Sequence, residues 1–311
     1  MWIVLSGVFL GWGLGANHTA NVFGTGVATG TVKYRTAIVL TAIFVLLGAV
    51  LEGPKCMQTV GSLSRLVPID AFCCTLSVAI LMAVLTFFAI PTSASQAIIG
   101  AVIGAGLLSG SADFTKLYRI IACWVFTPVV AIVAGYSLYW ILRYLFQKFI
   151  TGFTNLSLFY SAGIIVSGCY GAYCLGSNSV ANVTGVYVGS GVLSSETASL
   201  IGGLSIASGV LTYSRKVILT IGKGIVPLDP FSALVSVLAG GLALHIFTQL
   251  GVPVASSQAI VGGVVGVGLA GDIQTVSVRM LTKIVSGWVV APISAGLLTI
   301  LLLKIIPRVF L

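Results

Sequence analysis

Charged residues are scarce in this sequence. Only 7% of its 311 residues are Asp, Glu, Lys or Arg, and 58% are hydrophobic. Soluble domains carry about a quarter charged residues. So few charges cannot cover a surface that faces water, and lipid must be the solvent for much of the chain. Acids are scarcer still, six against 15 basic residues. No paired carboxylates, metal-ligand cluster or nucleophile elbow stands out, so an enzyme is not expected. The six cysteines (56, 73, 74, 123, 169 and 174) form no Cys-x-x-Cys pair and sit mostly in apolar runs. There they read as small core hydrophobes. The net charge of +9 is spread over short groups such as Lys33/Arg35, Arg143/Lys148, Arg215/Lys216/Lys223 and Lys304/Arg308. Such groups mark helix ends near anionic headgroups. They form no stripe with interleaved aromatics, so nucleic acid is not an expected partner.

What fills the chain instead is long apolar runs. Segments 36–51, 71–90, 120–142, 231–250 and 284–303 meet or approach bilayer-spanning length, which takes roughly 20 residues per helix. Counting the shorter Gly-rich stretches, the expectation is an all-α membrane protein with roughly 10 to 12 membrane-embedded helices. A β-barrel is excluded, because barrel strands alternate apolar and polar residues and these runs are apolar on every face. Met1 to Leu10 is apolar from the start, with no basic stretch or small-residue cleavage site. It reads as the first helix rather than a removed signal peptide.

The main signal is an internal repeat. Residues 14–30, LGANHTANVFGTGVATG, align with 175–191, LGSNSVANVTGVYVGSG, with nine of 17 positions identical. Residues 91–107, PTSASQAIIGAVIGAGL, align with 253–269, PVASSQAIVGGVVGVGL, with ten of 17 identical. The offsets, 161 and 162, agree. Weaker matches fall in register: Val67 to Phe72 with Val226 to Phe231, and Trp124 and Pro128 with Trp288 and Pro292. The chain is read as two copies of one unit, 1–150 and 151–311, with the junction near 148–155. Transporters use such repeats, commonly inverted in topology, to alternate access around a central site. Lys33/Arg35 after the first motif is replaced by Glu196 after the second, as expected if those loops lie on opposite sides.

Both motifs place polar residues at membrane depth. Asn17 and Asn21 are four apart and share one helical face, as do Asn178 and Asn182. Interhelical hydrogen bonding would account for a single Asn. Two Asn pairs in repeat register, flanked by Gly, point to binding, because polar groups at this depth are tolerated where they line a cavity. The second motif opens with Pro91 or Pro253 and continues through Ser95-Gln96 or Ser257-Gln258. Proline breaks a preceding helix and Ser95 and Ser257 are N-cap types, so each motif is read as the tip of a re-entrant hairpin. A half-helix N-terminus at mid-membrane presents free N–H groups to an anion. Neither motif contains Lys or Arg. His245 is expected to be a packed neutral histidine, and Glu52, Asp70 and Asp229 interfacial residues near helix ends.

The pair Gly-Ala-Asn-x-x-Ala-Asn and Pro-x-Ser-x-Ser-Gln-Ala-Ile-x-Gly resembles the PiT family of inorganic phosphate transporters, over nearly the whole chain and in both halves. The resemblance implies an inverted-repeat secondary symporter that moves phosphate with sodium ions or protons. It also implies that Asn17, His18, Asn21, Ser93, Ser95, Gln96, Asn178, Ser179, Asn182, Ser256, Ser257 and Gln258 line the substrate and ion sites. The family usually has aspartate where this chain has His18 and Ser179, and often histidine at Gln96 and Gln258. A carboxylate accepts the proton of phosphate but repels unprotonated sulfate. Its loss favours the sulfate permease branch of the family, makes sodium coupling less expected and proton coupling through His18 more so. The expected function is therefore symport of a small tetrahedral oxyanion across the cell (plasma or inner) membrane, sulfate ahead of phosphate, with an anion channel as the competing class. No organic cofactor and no bound metal are expected, the coupling ion being H+ or Na+. The expected partners are the oxyanion and the bilayer, and a homo-oligomer is compatible with the sequence.

Overall fold

The computed structural model describes residues 2–87, 93–149, 152–224, 228–271 and 278–310. Every regular element among them is helical. The first unit contains α1 (Leu5–His18), α2 (Ala20–Ala28), α3 (Tyr34–Gly61), α4 (Pro68–Phe87), α5 (Ala94–Ser109) and α6 (Phe114–Phe149). The second contains α7 (Phe153–Gly189), α8 (Ser195–Gly224), α9 (Pro230–Gln249), α10 (Ser256–Gly271) and α11 (Val278–Phe310). Among the described residues six helices, α3, α4, α6, α7, α9 and α11, are long and apolar enough to cross a membrane. The chain is a multi-pass membrane protein.

The two units correspond helix for helix, with one difference. Where α7 runs unbroken, the first unit splits into α1 and α2 at Thr19. Thr19 Oγ1 donates to the Gly15 carbonyl oxygen at 2.6 Å, a back-bond that bends helices. The repeat position in α7 is Val180, which has no hydroxyl to do this.

Packing at glycines reveals how the units are related. Gly7 lies against Val183 and Tyr187, Gly11 against Val183, Val22 against Gly171, Phe23 against Gly168, and Gly26 against Ile164. Residue numbers rise along α1–α2 as they fall along α7. Equivalent helices therefore run antiparallel, which requires a pseudo-two-fold axis perpendicular to them. With the helices along the membrane normal that axis lies in the membrane plane, and this is the inverted topology expected from the repeat. The register of these contacts centres near Ala16 and Gly176, next to the asparagine motifs.

The units also exchange partners. Helix α5 packs on α11, with Gly100 and Gly104 against Pro292 and Gly296; α10 packs on α6, with Gly262 and Gly266 against Pro128 and Ile132. Helices α4 and α5 pack together, as do α9 and α10, giving the two hairpins. The outgoing arms α5 and α10 are 16 residues each, about 24 Å of helix against a bilayer core of about 30 Å.

Asp70 and Asp229 lie at helix starts as expected. Asp70 accepts from the Val67 N–H at 3.0 Å. Asp229 caps α9, accepting from the N–H groups of Phe231 at 2.9 Å and Ser232 at 3.1 Å. Asp229→Ala is expected to lower stability by about 1 kcal/mol, the usual loss for an N-cap, read as a lowered Tm in detergent with α9 otherwise intact. Glu52 does not lie near a helix end. It sits inside α3, where its carboxylate is held by His245, Lys55 and Gln249. His245 likewise has polar partners rather than a purely packing environment. The unit boundary at 150 and 151 falls outside the described residues, as does Pro91.

Candidate functional site

Asn178 and Asn182, the asparagines of the second unit, lie on one face of α7 and are buried, and each reaches a different hairpin. Asn178 Nδ2 donates to Thr248 Oγ1 at 3.3 Å, near the end of α9. Asn182 Nδ2 donates to Ser95 Oγ at 2.9 Å, in the first turn of α5. Ser95 in turn donates to the Val254 carbonyl oxygen at 2.9 Å, in the link between α9 and α10. A residue at the tip of hairpin one is thus bonded directly to the tip of hairpin two. From the other unit, His18 Nδ1 stands 3.4 Å from Ser256 Oγ, and Trp124 Nε1 donates to the Pro253 carbonyl oxygen at 3.2 Å.

Both amide orientations are fixed by these contacts. Thr248 gives its hydrogen to the Leu244 carbonyl oxygen at 2.9 Å, and Ser95 gives its own to Val254. Each hydroxyl oxygen must accept from an amide N–H, so Asn178 Oδ1 and Asn182 Oδ1 are the outward acceptors. Among the described residues neither has a hydrogen-bond partner, nor do Gln96 Oε1, Gln258 Oε1 and Ser257 Oγ, all buried atoms. Buried polar atoms in membrane proteins are nearly always satisfied. Five such oxygens fall within the two repeated motifs, which makes their meeting point the candidate site.

The remaining predicted residues fall around this core. Ser93, Gln96, Ser179 and Gln258 are buried, and Asn17, Asn21 and Ser257 are half-buried. Asn21 and Ser256 line one small cavity with Val22, Leu175 and Leu244, of about 10 Å³, room for about one water. The N-cap of α5 is Ser93 rather than Ser95. Its side chain accepts from the Gln96 N–H at 3.3 Å, which frees the Ser95 hydroxyl for its cross-hairpin bond. Helix α10 similarly begins at Ser256, one residue before Ser257. Thr248 and Trp124 were not among the residues predicted for the site. Each carried a signal, a repeat match: Trp124 to Trp288, and Thr248 to Thr86 at the offset of the Ser-Gln motif.

Two antiparallel units whose paired hairpin tips meet beside buried asparagines define an inverted-repeat membrane transporter. Residues 14–299 match the phosphate transporter family, and the chain belongs to it. A candidate phosphate permease of Methanocaldococcus jannaschii is 34% identical, over 91% of this chain and 89% of that protein. A sulfate permease of Bacillus subtilis is 28% identical, over 93% and 83%. The solved structure of a sodium-dependent phosphate transporter superposes with a TM-score of 0.88 at 19% identity, covering 99% of this chain and 100% of that one, which establishes the shared fold.

Proposed function

We propose that this protein is a secondary transporter, not an enzyme, that carries inorganic phosphate across the cell membrane with a coupling cation. Its two units, 1–150 and 151–311, alternate access to a site formed by Asn17, His18, Asn21, Asn178, Ser179 and Asn182 with the hairpin tips. The four unsatisfied amide oxygens, of Gln96, Asn178, Asn182 and Gln258, carry this reading. Amide oxygens accept and do not donate. They repel a fully ionised sulfate, but they suit either the proton of a phosphate or a hard cation such as Na+. The phosphate's remaining oxygens would meet the free N–H groups at the starts of α5 and α10, where helix dipoles favour an anion. Sequence reasoning favoured sulfate because carboxylates are missing at His18 and Ser179. The acceptor oxygens offset that loss, and the family match and the archaeal relative support phosphate. Sulfate remains the second reading, favoured by those two positions and by the Bacillus relative.

Competition decides between them. Labelled phosphate uptake into proteoliposomes should be blocked by unlabelled phosphate at about tenfold lower concentration than by sulfate, a difference of about 1.4 kcal/mol. The reverse order would make the protein a sulfate carrier. The same assay with imposed Na+ or H+ gradients identifies the coupling ion; flux that follows the anion gradient alone would indicate a channel.

A further inference from the structure

A second polar cluster lies beside the hairpin-two turn, at the depth of the asparagines. Gly53 of α3 packs on Val180, between Asn178 and Asn182, so its neighbour Glu52 sits at the level of the site. Glu52 Oε2 lies 3.1 Å from His245 Nε2 of α9, without hydrogen-bond alignment. Lys55 Nζ lies 3.2 Å from Glu52 Oε1. Gln249 Nε2 donates to both carboxylate oxygens at 3.0 Å, and its own oxygen accepts from Lys55 at 2.7 Å. Thr59 Oγ1 donates to the Gly251 carbonyl oxygen at 2.5 Å. Together these bonds strap the end of α9 and the start of the hairpin turn to α3. One residue before Gln249 is Thr248, which holds Asn178.

The far side of the imidazole meets α7. Tyr170 Oη is 2.8 Å from His245 Nδ1, and the Tyr173 ring stands edge-on at 6.1 Å. The ionisable groups around the pair are Lys55 and Cys56 from α3, and Tyr170, Tyr173 and Cys174 from α7. Lys55 already balances Glu52, so a proton on His245 adds one net positive charge. It can be taken up with no heavy atom moving. With Nε2–H facing Glu52, Nδ1 accepts from the Tyr170 hydroxyl when the ring is neutral; when Nδ1 binds a proton it donates, and the hydroxyl rotates to accept.

The device belongs to one unit only. At the repeat offsets of 159 to 162, Glu52 corresponds to Leu211, Thr212, Tyr213 or Ser214, and His245 to Ala83, Val84, Leu85 or Thr86. Hairpin one therefore has no matching acid or histidine.

We propose that Glu52 and His245 form a proton-binding site that sets how tightly hairpin two is held to α3. The inference rests on the transport reading above, because it makes one half of an alternating-access cycle pH-dependent. Protonated His245 attracts Glu52 and secures the strap; the neutral ring loosens it. Acid pH therefore slows the release of hairpin two.

The test compares phosphate uptake by proteoliposomes of wild type, His245→Gln and Glu52→Gln in a series of buffers from about pH 5 to about pH 8. Dividing each variant's rate by the wild-type rate at the same pH removes the ionisation of phosphate itself. For both variants the ratio is expected to rise about fivefold from the alkaline to the acid end, about 1 kcal/mol of lost restraint. Ratios that stay constant with pH overturn the proposal. Thermal unfolding of the purified proteins supplies a readout that does not depend on substrate. The gap in Tm between wild type and His245→Gln should widen as pH falls, and a gap that does not change with pH also overturns it. If wild type takes up no phosphate at any pH, the phosphate reading fails, and the unfolding series alone decides the proton site.

Discussion

Asn182→Ala is expected to reduce phosphate uptake by roughly tenfold to a hundredfold, the consequence of losing about 1–3 kcal/mol at a buried polar group. Two losses coincide there. The amide N–H that holds Ser95 disappears, and so does Oδ1, one of the oxygens left for the ligand. Ser95→Ala removes the same bond from the other side and also leaves the Val254 carbonyl without its donor. Because Asn182, Ser95 and Val254 form one chain, the double variant should lose clearly less than the two single losses added together, by about 1 kcal/mol or more. All three variants should elute from gel filtration as wild type does, since the contacts join α7 and the two hairpin tips rather than the helix interfaces that hold the fold. Additive effects, or uptake retained by Asn182→Ala, would show that the bond from Asn182 to the hairpin tip is incidental to transport.

The motifs were legible in sequence, but their partners were not. Repeat register exposed Asn178 and Asn182 because polar side chains stand out against an apolar background, and it exposed the hairpins through Ser-Gln-Ala after proline. The same register could not say that Asn182 meets the hairpin of the other unit. That contact joins residues 87 positions apart, and nothing in local spacing distinguishes it from a contact within one unit. The inverted arrangement creates the exchange: with α1 and α7 antiparallel, each motif faces across the axis. His245 was misjudged for a related reason. Its partners Glu52 and Tyr170 lie on α3 and α7, and a lone histidine in an apolar run gives no sign of them. Ser95 was taken for a cap because serine caps helices often; Ser93, two residues earlier, is equally suited and takes the role.

Gly100→Ala is expected to remove the folded protein from detergent extracts altogether. A Cβ at this position would collide with the carbonyl oxygen of Pro292 and crowd its Cα and carbonyl carbon. All three atoms are backbone, so no side chain can swing aside, and α5 must move away from α11 as a body. Ordinary overpacking of a core costs about 1–3 kcal/mol because neighbouring side chains adjust. Here that adjustment is absent, and the loss should approach the whole stability of about 5–15 kcal/mol. The sign is informative, because alanine in a helix interior otherwise gains up to about 1 kcal/mol over glycine. Gly13→Ala in α1 is the control, since a Cβ there meets nothing within 4 Å; that variant should remain folded and slightly more stable. Gly262→Ala probes the equivalent contact of the other unit, where Cβ would meet the backbone of Pro128 at 2.6 Å, and it should fail in the same way. A monodisperse Gly100→Ala protein with a normal Tm would mean that α5 and α11 are not held backbone to backbone, and the exchange of hairpins between the two units would lose its physical basis.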